Sequence, residues 1–301
     1  MWNSKRLVFL SVVVSVTVIR FYNAETLQCD NSIHNCKIVC LSDNIENDIK
    51  LECSLLPRFN NSLLEIFNYN LKLVELQIRN SDLREIKHFA NVQLEDLRSM
   101  SFFASNIDQE ALSAILMSTP NLKHLILEEE NLQQVKSANF PEAFGETLET
   151  LVLNNDNINE IEISAFEAFK GSLKTLELRG NKLVNIPEAI YGSKVLELLD
   201  LNNNNKIKSV SNKDVNTLKT LDNLKTLRMN DLECECEIEK GSFFQWVVQK
   251  KSLEVECASP KKLKFKKLDQ LTKKDLCDSA ASANAMASLV VSVLITVKLL
   301  N

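Results

Sequence analysis

Eight cysteines carry the most chemistry in this 301-residue chain. They fall into two groups of four: Cys29, Cys36, Cys40 and Cys53 toward one end, Cys234, Cys236, Cys257 and Cys277 toward the other. Thiols clustered in this way either ligate a soft metal or join as disulfides. Cys29, His34, Cys36 and Cys40 bring together ligands that zinc accepts. An even cysteine count on an exported chain nevertheless favours disulfides. Four cysteines permit three pairings, and the spacing alone leaves all three open in each group.

Other reactive constellations are sparse. The histidines are His34, His88 and His124, none set beside a nucleophile or a metal-binding motif, and five glycines leave no phosphate-cradling loop. Glu128-Glu129-Glu130 offers paired carboxylates for acid–base work, but an exposed strand end reads the same way. His124, at an outward strand position, is either a pH-dependent contact or a spectator. The chain is therefore expected to be no enzyme and to need no cofactor and no metal. Seven lysines between Lys261 and Lys274 alternate with Leu263, Phe265, Leu268 and Leu271. They are read either as a contact for acidic glycans or lipid headgroups, or as a solvated face over apolar residues.

What positions all of this is a period. A pattern L-x-x-L-x-L-x-x-(N/S/D)-x-L returns seven times at intervals of 23 to 28 residues. Its registers begin Leu73-Leu76-Ile78-Ser81-Leu83, Leu97-Met100-Phe102-Ser105-Ile107, Leu122-Leu125-Leu127-Glu130-Leu132 and Leu148-Leu151-Leu153-Asp156-Ile158. They continue with Leu173-Leu176-Leu178-Asn181-Leu183, then Leu196-Leu199-Leu201 with one extra residue before Ile207, and Leu224-Leu227-Met229-Leu232-Cys234. One such unit cannot bury its own apolar edge, so successive units stack and share an elongated core. Along each strand the leucines turn inward and the residues between them face solvent. Ser81, Ser105, Asp156 and Asn181 are short polar partners for the buried backbone of the coil. Glu130 and Leu232 break that pattern, which predicts irregular coils there. Phe140, Phe144, Phe166 and Phe169 read as a second, aromatic set of core positions.

These registers resemble the leucine-rich repeat family over about half of the chain. The resemblance implies an α/β solenoid with a curved parallel β-sheet, an irregular or short-helical convex side, and disulfide-bonded caps. The later cysteine group, with Phe244 and Trp246 before its third cysteine and Ser259-Pro260 after it, is similar to the C-terminal cap of extracellular members. The earlier group resembles the matching N-terminal cap, with Ile49, Leu51 and Cys53 as its strand. In that family the pairing runs first to third and second to fourth. It implies Cys29–Cys40, Cys36–Cys53, Cys234–Cys257 and Cys236–Cys277.

Both termini read as processing signals. Lys5 and Arg6 precede the apolar run Leu7 to Ile19, and Ala24 offers a cleavage point, although an uncleaved anchor is the alternative. After Cys277 come small and short polar residues and then the apolar run Ala285 to Val297, shorter than the ~20 residues a membrane span needs. That pattern predicts a glycosylphosphatidylinositol (GPI) attachment signal, with Asp278 or Ser279 as the attachment residue and Ala281 next. A short tail anchor or a disordered end are the other readings. The expected organisation is a signal peptide 1–24, an N-terminal cap 25–70, repeats 71–232, a C-terminal cap 233–278 and an attachment signal 279–301. Asn60-Asn61-Ser62 marks Asn60 for glycosylation.

Residues 25–278 hold 31 basic and 40 acidic side chains, a net charge of −9, which argues against nucleic acid as a partner. What remains is the open face of the sheet. Its central column reads Gln77, Ser101, Ile126, Val152, Glu177, Asp200, Arg228, and the adjoining one Arg79, Phe103, Glu128, Asn154, Arg179, Asn202, Asn230. If strands stack in order, Phe103, Ile126 and Val152 form an apolar centre rimmed by Arg79, Glu128, Asn154, Glu177 and Arg179, suited to a protein ligand. The resemblance thus implies a GPI-anchored protein on the extracellular face of the plasma membrane, engaging a protein ligand or co-receptor in adhesion or reception. The alternative is a soluble secreted recognition factor in innate defence or matrix binding.

Overall fold

The computed structural model describes residues 32–33, 36–41, 48–55, 72–84, 93–140, 146–236, 238, 242–250 and 253–277. Cys29, His34, Asn60, His88, Phe144, Asp278, Ser279, Ala281 and both terminal signals lie outside them.

Each L-x-L pair becomes a strand. In chain order these are β1 (Ser32–Ile33), β2 (Cys36–Cys40), β3 (Asp48–Ser54), β4 (Lys72–Arg79), β5 (Ser99–Phe103), β6 (His124–Glu128), β7 (Gln134–Val135) and β8 (Thr150–Asn154). Then follow β9 (Glu160–Ile161), β10 (Thr175–Glu177), β11 (Leu198–Asp200), β12 (Thr226–Glu233) and β13 (Glu254–Ser259). Eleven of them form one sheet in the order β1-β2-β3-β4-β5-β6-β8-β10-β11-β12-β13, and β7 with β9 makes a second, two-stranded ladder. Only β1–β2 and β2–β3 are antiparallel; from β3 onward every neighbour in the large sheet is parallel. Parallel neighbours require the chain to return outside the sheet between strands, and each repeat does so.

The register aligns the leucines into rows. Leu76, Met100, Leu125, Leu151, Leu176, Leu199 and Leu227 are consecutive partners across seven strands, and each is at most 1% exposed. Behind them Phe140, Phe166 and Phe169 fill the returning part of two successive coils. Among the described residues, helices α1 (Gln109–Met117), α2 (Asn212–Lys219) and α3 (Ser242–Lys250) cover other parts of the molecule. Asp108 caps α1 by accepting from the Ala111 amide, and Ser211 caps α2 by accepting from the Asp214 amide.

After each strand the chain must turn sharply, and the first residue of the turn lies in the left-handed region: Asn80, Ala104, Glu129, Asn155 and Gly180. At Gly180 the requirement is steric as well, because a Cβ there would collide with Asn155 Oδ1 of the preceding coil. One step further inward runs a ladder of buried polar side chains. Asn181 Oδ1 accepts from the amides of Asp156 (3.1 Å) and Ile158 (3.0 Å), while its Nδ2 donates to the carbonyls of Leu153 and Leu178. Asn204, inside the repeat that carries the extra residue, accepts from Leu183 N and donates to Leu178 and Leu201 carbonyls. Ser105 Oγ donates to the carbonyls of Ile78 and Phe103, and Ser81 Oγ to that of Arg79.

Glu130 corrects the expectation of an irregular coil and of an exposed acidic strand end. It is 3% exposed, and its carboxylate accepts from Ser105 N (2.9 and 3.0 Å) and Ile107 N (3.2 Å) of the preceding coil. The longer side chain thus does what an asparagine does elsewhere in the ladder. At Leu232 the sheet is irregular: the β12–β13 register shifts on either side of it.

Disulfides close both ends. Cys36–Cys53 bridges the register-paired residues of β2 and β3, and Cys40 is also disulfide-bonded. With Cys36 and Cys40 both in bridges, two members of the alternative zinc set are not free thiols. At the other end Cys234 joins Cys257 and Cys236 joins Cys277. There α3 lays Phe243, Trp246 and Val247 over the last coil, with the two rings stacked 6.2 Å apart. The final apolar layer is thereby covered.

Candidate functional site

The sheet has an open face, and the register fixes its columns. Gln77, Ser101, Ile126, Val152, Glu177, Asp200 and Arg228 are successive partners, as are Arg79, Phe103, Glu128 and Asn154. A third column, toward the strand starts, reads Glu75, Ser99, His124, Thr150, Thr175, Leu198 and Thr226.

Charge divides the face into three parts. On the N-terminal side Lys50 pairs with Glu52 (2.9 Å) and Glu75 (3.8 Å). On the C-terminal side Arg228 holds Glu254 (2.9 Å) and Asp200 (3.6 Å). Burial pushes the Asp200 carboxyl up, against the opposing pull of the Asn202 amide and Arg228. Between these flanks lies a stretch with no charge in two columns: Ser99, Ser101, His124, Ile126, Thr150, Val152 and Thr175. Uncharged residues there are desolvated cheaply by a partner, whereas the paired ions at the flanks are costly to strip of water.

The predicted contact residues divide on closer inspection. Arg79 lies over the Phe103 ring, its guanidinium carbon 3.9 Å from the centroid, so one exposed cation and one half-buried aromatic make a joint platform. Ile126 is half-buried beside them. Val152 is only 8% exposed and contributes a floor, not a protrusion. The Asn154 amide is engaged within the sheet: Nδ2 donates to Glu177 Oε2 (3.2 Å) and Oδ1 accepts from Arg179 N (2.8 Å). Glu128 accepts from Asn155 Nδ2 (3.3 Å), and Arg179 stays exposed. The surface accessible to a partner is therefore centred on Arg79, Phe103, Ile126 and His124. The strand-start column, with Ser99 and Thr150, was not singled out from sequence. Its signal is the absence of acidic, lysine and arginine side chains at the same strand position over six consecutive repeats, Ser99 to Thr226.

On the returning side a groove of about 560 Å³ is lined by Ile163, Glu167, Lys170, Glu188, Tyr191 and Lys213 among others. Its rim is closed by the ion pairs Lys170–Glu167 and Lys213–Glu188. Ser164, Tyr191 and Thr217 add hydroxyls to its lining. Among the described residues no group of His, Cys, Asp and Glu is arranged to hold a metal, and no helix is long and apolar enough to cross a membrane.

A leucine rich repeat family model matches residues 146–207. No curated protein matches the chain. Among solved structures, human 5T4 (Wnt-activated inhibitory factor 1, trophoblast glycoprotein) superposes with a TM-score of 0.59 at 19% identity, over 83% of this chain and 100% of that one. A chain of the mouse RP105/MD-1 complex gives 0.51 at 20% identity, over 74% of this chain and 36% of that one. Together with the parallel sheet and the terminal disulfides, these likenesses establish the fold as a leucine-rich repeat solenoid with disulfide bonds near its ends.

Proposed function

We propose that this is a non-enzymatic recognition protein of the outer cell surface, held there by a GPI anchor and binding a protein ligand or co-receptor through the open face of its sheet. The observation that carries the reading is the uncharged centre, with the Arg79–Phe103 platform, set between two ion-paired flanks. An aromatic side chain toward the centre of a surface and an arginine at its charged border are residue types enriched where proteins associate. The disulfides support an oxidising, extracellular setting. The two structural neighbours are named as a glycoprotein and as a chain of a protein complex, which accords with this reading. In this organisation residues 1–24 and 279–301 are removed, and 25–278 form one elongated, capped unit with a glycan at Asn60.

The test begins with residues 25–278 secreted from cultured cells and screened against arrayed cell-surface ectodomains. For a ligand found in that way, Phe103→Glu with Ile126→Glu is expected to weaken binding roughly a hundredfold, since the first removes the ring on which Arg79 lies and the second would bury a carboxylate in the contact. Both positions face solvent at least in part, so the variant keeps its fold by circular dichroism. Undiminished affinity would remove this face from consideration. Treating cells that express the full chain with a phosphatidylinositol-specific phospholipase is expected to release it. Material found in the medium without treatment would identify a secreted factor instead.

A further inference from the structure

The solenoid's C-terminal end carries charge of the opposite sign to the rest. Residues 253–277 hold seven lysines against four acidic residues, whereas residues 25–233 hold 21 basic against 32 acidic. The lysines gather around one rigid loop. Leu263, fully buried, donates its amide to the Pro260 carbonyl (2.8 Å), and Lys266 N donates to Leu263 O (2.9 Å). Phe265 N donates to Cys257 O (2.8 Å) and Cys257 N to Lys266 O (3.0 Å), so the loop is laced to the strand whose Cys257 forms a disulfide.

At its tip sits Phe265, 72% exposed, the most exposed large apolar side chain among the described residues. Its φ of +66° is a left-handed conformation that a bulky side chain adopts only when its surroundings hold it there. Lys264 Nζ lies 4.8 Å from the ring centroid, and Lys261, Lys262, Lys264 and Lys266 are all exposed without an ion pair among the described residues. Lys262 and Lys266 both act on Asp275, which places them beside the segment ending at Cys277. From Cys277 eight residues lead to Ala285, where the apolar run begins, a reach of at most about 28 Å.

We infer that this loop is a membrane-contact element: Phe265 enters the interfacial layer of the bilayer while Lys262, Lys264 and Lys266 bind lipid phosphates. Sulfated glycans share the attraction to lysine but gain nothing from an exposed phenyl ring, whereas a bilayer interface takes both. With the exposed ring and the unpaired lysines both on the cap, that end of the molecule is the one that meets the bilayer. For its geometry the inference rests on the anchored reading proposed above, and it deepens it: the anchor tethers, and the cap sets the posture.

The experiment uses the full-length protein purified from secretory cells and vesicles of phosphatidylcholine with about one part in four phosphatidylserine. A Phe265→Trp variant reports immersion through quenching by brominated lipids, over a constant background from Trp246, which is 6% exposed. Quenching is expected, along with a drop of roughly a hundredfold in partitioning for Lys262→Glu/Lys264→Glu/Lys266→Glu, about fivefold per lysine. If the protein stays attached to membranes while the F265W indole remains unquenched, the contact is overturned and the anchor stands. Should the protein prove unanchored, quenching by added vesicles would uphold the contact and sink the anchor. Lysine-dependent retention on heparin without quenching by vesicles overturns the inference in favour of a sulfated glycan.

Discussion

Raising the pH from 4 to 8 is expected to remove on the order of 5 kcal/mol of folding stability, and Asp156→Asn to abolish most of that loss. Asp156 is fully buried in the polar ladder, one coil after Glu130, whose amide donates to Asp156 Oδ1 (2.6 Å). Its other oxygen, Oδ2, is buried with no hydrogen-bond partner among the described residues. Burial, helped by the nearby charges of Glu130 and Glu128 and opposed by the amides of Glu130 and Asn131, pushes its carboxyl from 3.8 up to about 8. The folded protein therefore holds this proton over a range in which the unfolded chain has released it. The contribution of this carboxyl to stability is greatest below about pH 4, falls as the pH rises, and levels off above about 8. Glu130, also pushed up by burial, adds to the same slope.

Asparagine at this position has no proton to lose. Its Nδ2 would stand where Oδ2 now lacks a partner, and Asn181 shows the outcome one coil later, where Nδ2 donates to the Leu153 and Leu178 carbonyls. The variant should be more stable by about 4 kcal/mol at pH 8 and by only about 1 kcal/mol at pH 5, where the folded protein still holds the proton. Urea unfolding of both proteins at the two pH values measures this. Parallel loss of stability in wild type and variant would show that Asp156 is not the group responsible.

That buried pair also marks the limit of what the sequence discloses. The solenoid is legible because its period is set by a physical need: leucines three and five positions apart can only line up if coils stack, and the row from Leu76 to Leu227 follows from it. The columns of the open face follow with equal certainty from strand alternation, once strands are taken in order. Glu130 was not legible. In one dimension Glu128-Glu129-Glu130 is a solvated acidic run, and only the geometry of the coil shows that the third member points at two amides of the preceding repeat. Exposure on the open face was equally hidden. Asn154 is a surface residue by position, but its bonds to Glu177 and the Arg179 amide draw it down to 4% exposure. Phe265 gave the opposite lesson, since a phenylalanine between lysines reads as cap core until its backbone turns left-handed and carries it outward.

Phe169→Ala is expected to cost about 3–5 kcal/mol, the range for emptying a fully buried aromatic site. Phe169 meets Phe140 edge to face at 5.1 Å and Phe166 at 5.7 Å, and all three are at most 4% exposed. Phe140 belongs to the coil that begins at Leu122, the other two to the coil that begins at Leu148, so the trio forms part of the seam between neighbouring repeats. Rings in contact share their stabilisation, so Phe140→Ala combined with Phe169→Ala should fall short of the sum of the single costs by about 0.5–1.5 kcal/mol. A solenoid is held together by such nearest-neighbour seams, so weakening one lets the coils on its two sides unfold apart. Hydrogen exchange on the Phe169→Ala protein should therefore show β6 and β8 losing protection more than β12 and β13, whose seam is stapled by Cys234–Cys257. A uniform loss of protection across all strands, or a cost under about 1 kcal/mol, would mean that these rings fill space without coupling the repeats.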